Sequence, residues 1–242
     1  MYLIFCFIKS EGIILGVGHP LLDIICRVES TFLDKYGLKA DDSIRANDSH
    51  QRLYTEITEQ FECQYSAGGS VQNSLMAVQW VLNQPNCVTF MGTIGDDHYG
   101  RVMIKKTSEH GINFVPQIEK TLGTGTSACL ITDNGKNRSL IAYLGASQTK
   151  IVGHLRKNHK FVEKAKYFYT SGYQLCVDPE SVMEMALHAH NNPGKMFCLN
   201  LSAPYVSQKF SEPLLEVFPY VDLLFGNRDD IQAFAQMNGW QV

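Results

Sequence analysis

Short apolar runs alternate along this chain with stretches in which apolar residues recur every three or four positions. Continuous runs at residues 13–17 and 88–91 predict buried strands. Over residues 70–82 the apolar positions fall at helical spacing, and Met76 and Trp80 widen that stripe, so we expect a mostly buried helix. Further strands are predicted at residues 22–28, 61–65, 113–117, 126–132, 139–144, 167–170, 196–199 and 221–225. Helices are predicted at residues 30–36 with Ser30 as the cap, from Asp48 or Ser49 to about 59, from the turn at 95–100 to about 110, and at 179–190, 214–218 and 227–237.

The repeated strand–helix units predict an α/β fold with a mostly parallel central sheet and helices on both faces. The strands within residues 19–46, 61–66 and 113–144 are not cleanly separated by helices, and Asn134-Gly135 indicates a hairpin in the last of these segments. We therefore expect a small β-sheet that forms a lid over a pocket, within one partial domain over residues 1–242.

Composition narrows the classes of function. With 45% hydrophobic and 19% charged residues the chain can bury a substantial core, and a net charge of −3 argues against nucleic-acid binding. The seven cysteines include no CxxC motif, so buried, reduced thiols and a cytoplasmic or nuclear location are expected. No cluster of His and Cys has zinc-ligand spacing, so a zinc site is not expected from the sequence. The apolar residues 1–8 are too short to span a membrane and are interpreted as an extension that leads into the first strand.

Two polar features fall where strands end. Gly68-Gly69 stands between a strand and a helix, where glycine lets a ligand approach the backbone and the free amides of the first helical turn favour oxygen ligands. Asp23 follows another strand, and a carboxylate can accept both hydrogen bonds of a vicinal diol. From the residues alone two other interpretations stay open: a tight turn capped by Ser70, and an acid on the outer face of an edge strand.

Arg138 and Asn227-Arg228-Asp229-Asp230 carry weaker signals. A guanidinium at the end of the hairpin loop can bridge phosphate oxygens, although a solvated loop arginine is more common. The acids that open the last helix suit its dipole and can also organise water around a metal ion. The sequence contains neither a G-x-x-x-x-G-K-[ST] phosphate loop nor an HExxH or G-x-S-x-G motif.

In combination these motifs resemble the ribokinase-like family of sugar and nucleoside kinases over residues 14–239. The resemblance rests on Gly68-Gly69-Ser70 with Asn73, and on Gly95, Asp97 and Gly100 as a G-x-D-x-x-G turn. Several segments are similar more narrowly to the adenosine kinase subgroup: Pro20-Leu21-Leu22-Asp23, residues 32–36, Asn137–Ala142, residues 200–204 and 224–227.

The resemblance implies transfer of the γ-phosphoryl group of ATP to the 5′ hydroxyl of adenosine, giving AMP in purine salvage, with Mg²⁺. It implies that Asp23 binds the ribose diol with Gly69 and Asn73, that Arg138 stabilises the transferred phosphate, and that Asn227 and Asp230 act on Mg²⁺ indirectly. It further implies a nucleoside-binding set of His19, Leu21, Ser43, Gly68, Ser70, Ser127, Leu140, Ala142, Leu144 and Tyr173.

This sequence departs from the family pattern at several positions. His19 stands where the subgroup commonly has Asn, Asp230 replaces a Glu, and Ser43 and Ser127 are also substitutions. No G-A-G-D segment, which carries the family's catalytic base and anion hole, occurs in the 242 residues, so the base is expected beyond Val242, together with the C-terminal part of the fold and most of the ATP site.

These departures lead to several expectations. The chain is expected to be inactive alone and monomeric, and to bind adenosine without nucleic-acid or membrane partners. The alternatives are a non-catalytic nucleoside-binding or interaction protein and a ribokinase-like sugar kinase.

Overall fold

A computed structural model describes residues 11–240 of the chain. Residues 1–8, interpreted above as an extension, lie outside the described residues. Thirteen strands and eleven α-helices fall within 11–240. In chain order they are β1 Ile14–Val17, β2 Leu21–Arg27, α1 Ser30–Lys35, β3 Ser43–Arg45, α2 Gln51–Gln60, β4 Cys63–Gly68, α3 Ser70–Leu82, β5 Val88–Met91, β6 Thr93–Gly95, α4 His98–Glu109, β7 Asn113–Phe114, β8 Gln117–Glu119, β9 Thr126–Thr132, β10 Asn137–Tyr143, α5 Val152–Lys157, α6 His159–Lys164, β11 Tyr167–Ser171, α7 Gly172–Val177, α8 Pro179–Asn191, β12 Met196–Asn200, α9 Pro204–Lys209, α10 Ser211–Val217, β13 Leu223–Phe225 and α11 Arg228–Met237.

The predicted α/β architecture is confirmed by a six-stranded sheet in the order β13-β12-β11-β1-β5-β7. All of its neighbouring strands are parallel. Within this sheet, β5 is the next strand after β1 in sequence and lies on one side of it, whereas β11 lies on the other side. The carboxyl ends of β1 and β11 therefore mark a topological switch point, which is where open α/β sheets bind ligands.

A second sheet has five strands in the order β3-β10-β9-β2-β4. Its strands β9 and β10 form the expected antiparallel hairpin. Helices α1 and α2 cover one face through Phe32, Leu33, Leu53 and Ile57, which pack against strand residues such as Ile24. The opposite face carries the alternate residues of each strand, and we call this five-stranded sheet the lid sheet.

The structure corrects the predicted extent of the lid. Strand β7 pairs with β5 in the parallel sheet, and β8 pairs with β6 in a separate two-stranded sheet, so the lid strands of this segment begin at Thr126 rather than at residue 113. Neither β7 nor β8 pairs with a strand of the lid sheet.

The predicted helix boundaries agree with the structure better than the predicted N-cap residues of α1 and α2 or the predicted burial of α3. Ser30 lies inside α1, and His50, preceded by a 3₁₀ turn, is the N-cap of α2, so neither predicted side-chain cap is present. Helix α3 matches the predicted range, but Trp80 is 81% exposed, whereas its neighbour Gln79 is buried on the same face as Val71 and Leu75. Trp80 therefore points away from the covered face, and the buried stripe is narrower than predicted.

Cysteine chemistry also differs from the expectation of reduced thiols. Cys26 and Cys63 oppose each other across β2 and β4 and form a disulfide. Cys87, Cys129 and Cys198 are free and buried, as expected. No helix within residues 11–240 combines the length and the apolar character that crossing a membrane requires.

Candidate nucleoside-binding site

The open face of the lid sheet collects most of the predicted binding residues. Asp23 on β2 pairs with Ser127 on β9, which in turn pairs with Ala142 on β10. Because paired residues point to the same face of a sheet, these three side chains lie side by side. The same registers add further predicted residues to this face: Leu21, Ser43 and Leu140.

The carboxylate of Asp23 lies directly over the backbone of Gly68. A Cβ atom on Gly68 would come within 2.5 Å of Asp23 Oδ2, closer than real Cβ contacts allow. Glycine at this position is therefore what makes room for the acid. The acid and the paired-glycine bend, which the resemblance assigns to one ribose, therefore lie next to each other in the structure.

The Asp23 carboxyl group is partly shielded from solvent. Burial raises the pKa of Asp23 from 3.8 to about 6, and the charge of Arg138 opposes that rise. Burial also raises the pKa of Cys129, which Arg138 lowers and Asp23 raises. An acid, a guanidinium and a thiol thus surround one part of the lid face, with Arg138 exposed inside β10 rather than in the hairpin loop.

Gly69 joins this face to the edge of the parallel sheet. Its φ of 104° lies in the region that favours glycine, and a Cβ there would come within 2.2 Å of the His19 carbonyl oxygen. Gly69, rather than Ser70, is the N-cap of α3, and no side chain caps that helix. Asn73 is exposed and donates its backbone N–H to Gly69 O at 2.8 Å.

His19 follows β1, at the switch point. Burial lowers the pKa of His19 to about 4, so its ring is neutral at physiological pH. Its Nε2 atom is buried and has no hydrogen-bond partner among residues 11–240. The replacement of Asn by His at this position therefore does not add a charge, but it leaves one polar atom available.

Tyr173 occupies the matching position after β11. Its hydroxyl donates to Ser202 O at 3.1 Å, and its ring stacks on Tyr205 with 6.3 Å between centroids. Burial raises the pKa of Tyr205, which the charge of Arg45 lowers. Arg45 stands opposite Ala142 on the lid sheet, so the two tyrosines approach the lid from the parallel sheet.

Asn227 and Asp230 follow β13 and start α11. Asn227 Oδ1 accepts from the Asp230 backbone N–H at 2.9 Å, and Asp230 Oδ2 accepts from the Asn227 N–H at 3.0 Å. This capping box uses one oxygen of each side chain and explains the acid at this position structurally. The second oxygen of Asp230 is buried and without a hydrogen-bond partner in the described part of the chain.

The G-x-D-x-x-G turn is structural in this protein. Asp97 caps α4 by accepting from the Gly100 N–H, and it accepts from both the backbone and the hydroxyl of Thr124, each at 2.7 Å. Although burial opposes it, these hydrogen bonds hold the pKa of Asp97 below its ordinary value. The turn anchors the segment that leads into β9 and hence positions Ser127. Leu144 closes the far end of β10, where its carbonyl accepts from the Ser147 hydroxyl.

Sequence reasoning missed Arg45 and Cys129 on the lid face, although their alternation with Ser43 and Ser127 was available as a signal. It also missed a cavity of about 410 Å³ whose lining includes Tyr54, Thr126 and Tyr143. Tyr143 pairs with Thr126, so this cavity lies on the helix-covered face of the lid sheet, opposite to Asp23. The position of Asp23 and Gly68 at the switch point identifies the lid face as the better candidate site.

A parallel α/β sheet whose carboxyl edge faces a smaller β-sheet, with an acid and a paired-glycine bend between them, defines a ribokinase-like kinase fold. The chain belongs to the pfkB family of carbohydrate kinases, whose family model matches residues 30–242.

Several similar proteins are known. Adenosine kinase 2 of Arabidopsis thaliana is 40% identical over 234 residues, which cover 96% of this chain and 67% of that protein. The crystal structure of Anopheles gambiae adenosine kinase in complex with P1,P4-di(adenosine-5) tetraphosphate is 40% identical with a TM-score of 0.83, over 95% of this chain and 68% of that one. Trypanosoma brucei brucei adenosine kinase (apo) has a TM-score of 0.89 at 32% identity, over 95% and 70% respectively. The chain thus spans about two thirds of the length of these relatives.

Proposed function

We propose that this chain supplies the nucleoside-acceptor site of an adenosine kinase, which transfers the γ-phosphoryl group of ATP to the 5′ hydroxyl of adenosine. The contact between the Asp23 carboxylate and Gly68 is the observation that carries the proposal. It supports the proposal because a carboxylate able to accept from a diol lies beside the free amides that start α3. The identities of the relatives above support adenosine over a free sugar.

The residues of the acceptor site divide between binding the ribose and lining the nucleoside. Asp23 accepts hydrogen bonds from the 2′ and 3′ hydroxyls of ribose, and Gly69 and Asn73 close the backbone around the sugar. Ser127, Leu140 and Ala142 line the flat side of the nucleoside, with Tyr173 opposite. Further lining is assigned to His19, Leu21, Ser43, Gly68, Ser70 and Leu144.

Arg138 is proposed to interact with two negative charges, the Asp23 carboxylate and the transferred phosphate. Without ligand its guanidinium acts on Asp23, as the direction of its effect on the Asp23 pKa shows. In the proposed reaction it stabilises the negative charge of the transferred phosphate, for which a guanidinium is well suited. Its exposure leaves the side chain free to reach both partners.

Mg²⁺ fits the start of α11. Asp230 is 3% exposed, and its free carboxylate oxygen is the kind of hard ligand that Mg²⁺ takes, either directly or through water. Asp230 and Asn227 would hold the ion's hydration shell. When bound, Mg²⁺ would neutralise charge on the ATP phosphates.

The 242 residues contain no G-A-G-D segment. We therefore propose that polypeptide 1–242 binds adenosine but does not transfer phosphate at a measurable rate, because the assigned residues bind and orient without providing a base. We also propose that it acts as a monomer in the cytoplasm, without nucleic-acid or membrane partners.

Calorimetry tests the acceptor proposal directly. Purified 1–242 is titrated with adenosine, with 2′-deoxyadenosine and with ribose. We expect adenosine to bind, and the deoxynucleoside to bind at least about tenfold more weakly because one hydrogen bond to a charged acceptor is lost. Equal affinity for both nucleosides, or binding of ribose alone, would contradict the assignment, and the latter would favour a sugar kinase.

A further inference from the structure

Two histidines and a glutamate meet on the outer helices, away from the nucleoside site. His159 and Glu163 are four residues apart on α6, so they share one helix face. His188, near the end of α8, faces them. One ligand atom from each of the three residues lies within 4.8 Å of the others.

The cluster has an unsatisfied member. His188 Nε2 is buried and lacks a hydrogen-bond partner within residues 11–240. Its ring packs edge-on against both His159 and Phe168, at 5.7 and 5.6 Å between centroids. The ring is therefore held in place while one of its nitrogens still lacks a partner in the described part of the chain.

The other two members can move towards it. The side chains of His159 and Glu163 are 52% and 60% exposed and form a loose pair at 3.4 Å. Zinc bonds of about 2 Å require tetrahedral ligands to lie about 3.3 Å apart, so rotation of exposed side chains is sufficient. The neighbouring Lys195 ammonium donates to the Val162 and Glu163 carbonyls, which partly satisfies its charge outside the ligand set.

We propose that His159, Glu163 and His188 bind one divalent transition-metal ion of the Zn²⁺ class and thereby join α6 to α8. Two imidazoles and a carboxylate are a zinc-type donor set, with water as the fourth ligand, and they discriminate against Mg²⁺, which prefers oxygen. The His188 ring contacts Phe168 near the amino end of β11, whereas Tyr173 follows the carboxyl end. The ion is therefore a structural link and does not take part in phosphoryl transfer.

The test is metal binding to the intact 242-residue chain. Apo protein, handled without oxygen and without reductant so that the Cys26–Cys63 disulfide stays closed, is titrated with Zn²⁺ by equilibrium dialysis and with Co²⁺ by visible absorption. We expect one ion per chain, a tetrahedral Co²⁺ spectrum and a higher melting temperature at saturation. The exposed-residue variants His159→Gln and Glu163→Gln should each weaken binding about tenfold or more, without the folding risk of a change at half-buried His188.

His190→Gln is the matched control. His190 lies on α8, the helix that carries His188, and packs edge-on against Tyr220 at 5.2 Å between centroids, outside the cluster. We expect its metal affinity to equal that of the parent. The proposal is overturned if the parent binds no ion at 100-fold excess, or if His159→Gln and Glu163→Gln bind as tightly as the control, which would assign the metal to other histidines or to free thiols.

Discussion

Asp23→Asn is predicted to stabilise the unliganded protein while weakening nucleoside binding. The folded state raises the pKa of Asp23 from 3.8 to about 6, so between these values the native state binds more protons than the unfolded state. The free energy of unfolding therefore falls as pH rises through this window. Above it, the ionised acid is a net cost that Arg138 offsets in part and that a bound ligand can offset further.

The size of the effect follows from the shift. About two pKa units correspond to about 3 kcal/mol, since each unit is worth about 1.4 kcal/mol. Asp23 is only partly buried, so solvent screening reduces this to about 1–2 kcal/mol. For a chain of this size we expect the melting temperature to rise by about 2–6 °C at pH 7.5.

The assay is thermal unfolding of the parent and the variant from pH 4 to pH 8. The stability difference should be near zero at pH 4 and reach its full size above pH 6, while adenosine affinity drops at least about tenfold. Asp34→Asn, the same change on the exposed side of α1, should leave both quantities unchanged. A lower melting temperature for Asp23→Asn at pH 7.5 would refute the reasoning, because it would mean that the ionised acid is already satisfied.

Three further predictions concern the scaffold. Gly69→Ala should lower the free energy of unfolding, measured in urea, by at least about 3 kcal/mol, because its Cβ would meet a carbonyl oxygen at 2.2 Å. The control Gly194→Ala, at φ 89° with open space around it, should lower it by about 1 kcal/mol. Equal losses for the two variants would contradict the close approach at Gly69. Asp97→Asn should lose about 1–3 kcal/mol at pH 7, and the loss should shrink as pH falls through the lowered pKa of Asp97; a constant loss would contradict its ionised role. Reduction of Cys26–Cys63 should lower stability by about 4 kcal/mol for a separation of 37 residues, and an unchanged melting temperature in reductant would show that the bond does not form in solution.

The sequence predicted the parallel sheet because buried strands and amphipathic helices have different periods. Helix α3 could be delimited from Leu75 and its neighbours, since helical spacing is a local property. The exposure of Trp80 was not predicted, because an apolar residue at the border of the stripe does not show how wide a face of the helix its neighbours cover. The disulfide was missed for a similar reason: Cys26 and Cys63 are neighbours only through the register of β2 and β4.

Site residues were predictable as candidates but not as a geometry. Asp23 and the paired glycines could be selected from the motifs, but the contact between Asp23 and Gly68 depends on the antiparallel register of two strands. The capping box of Asn227 and Asp230 could not be predicted either, because an acid at this position is equally suited to a helix N-terminus and to a place near a hydrated metal ion. Whether the lid sheet moves stays a prediction, which hydrogen exchange of β2 and β4 relative to β11 can test.

A crystal structure of the chain with adenosine is the most direct measurement of the central claim. We predict that the ribose hydroxyls lie within hydrogen-bonding distance of the Asp23 carboxylate, at the Gly68-Gly69 bend. Adenosine bound instead in the cavity beside Tyr54 and Tyr143, on the helix-covered face of the lid sheet, would contradict the claim.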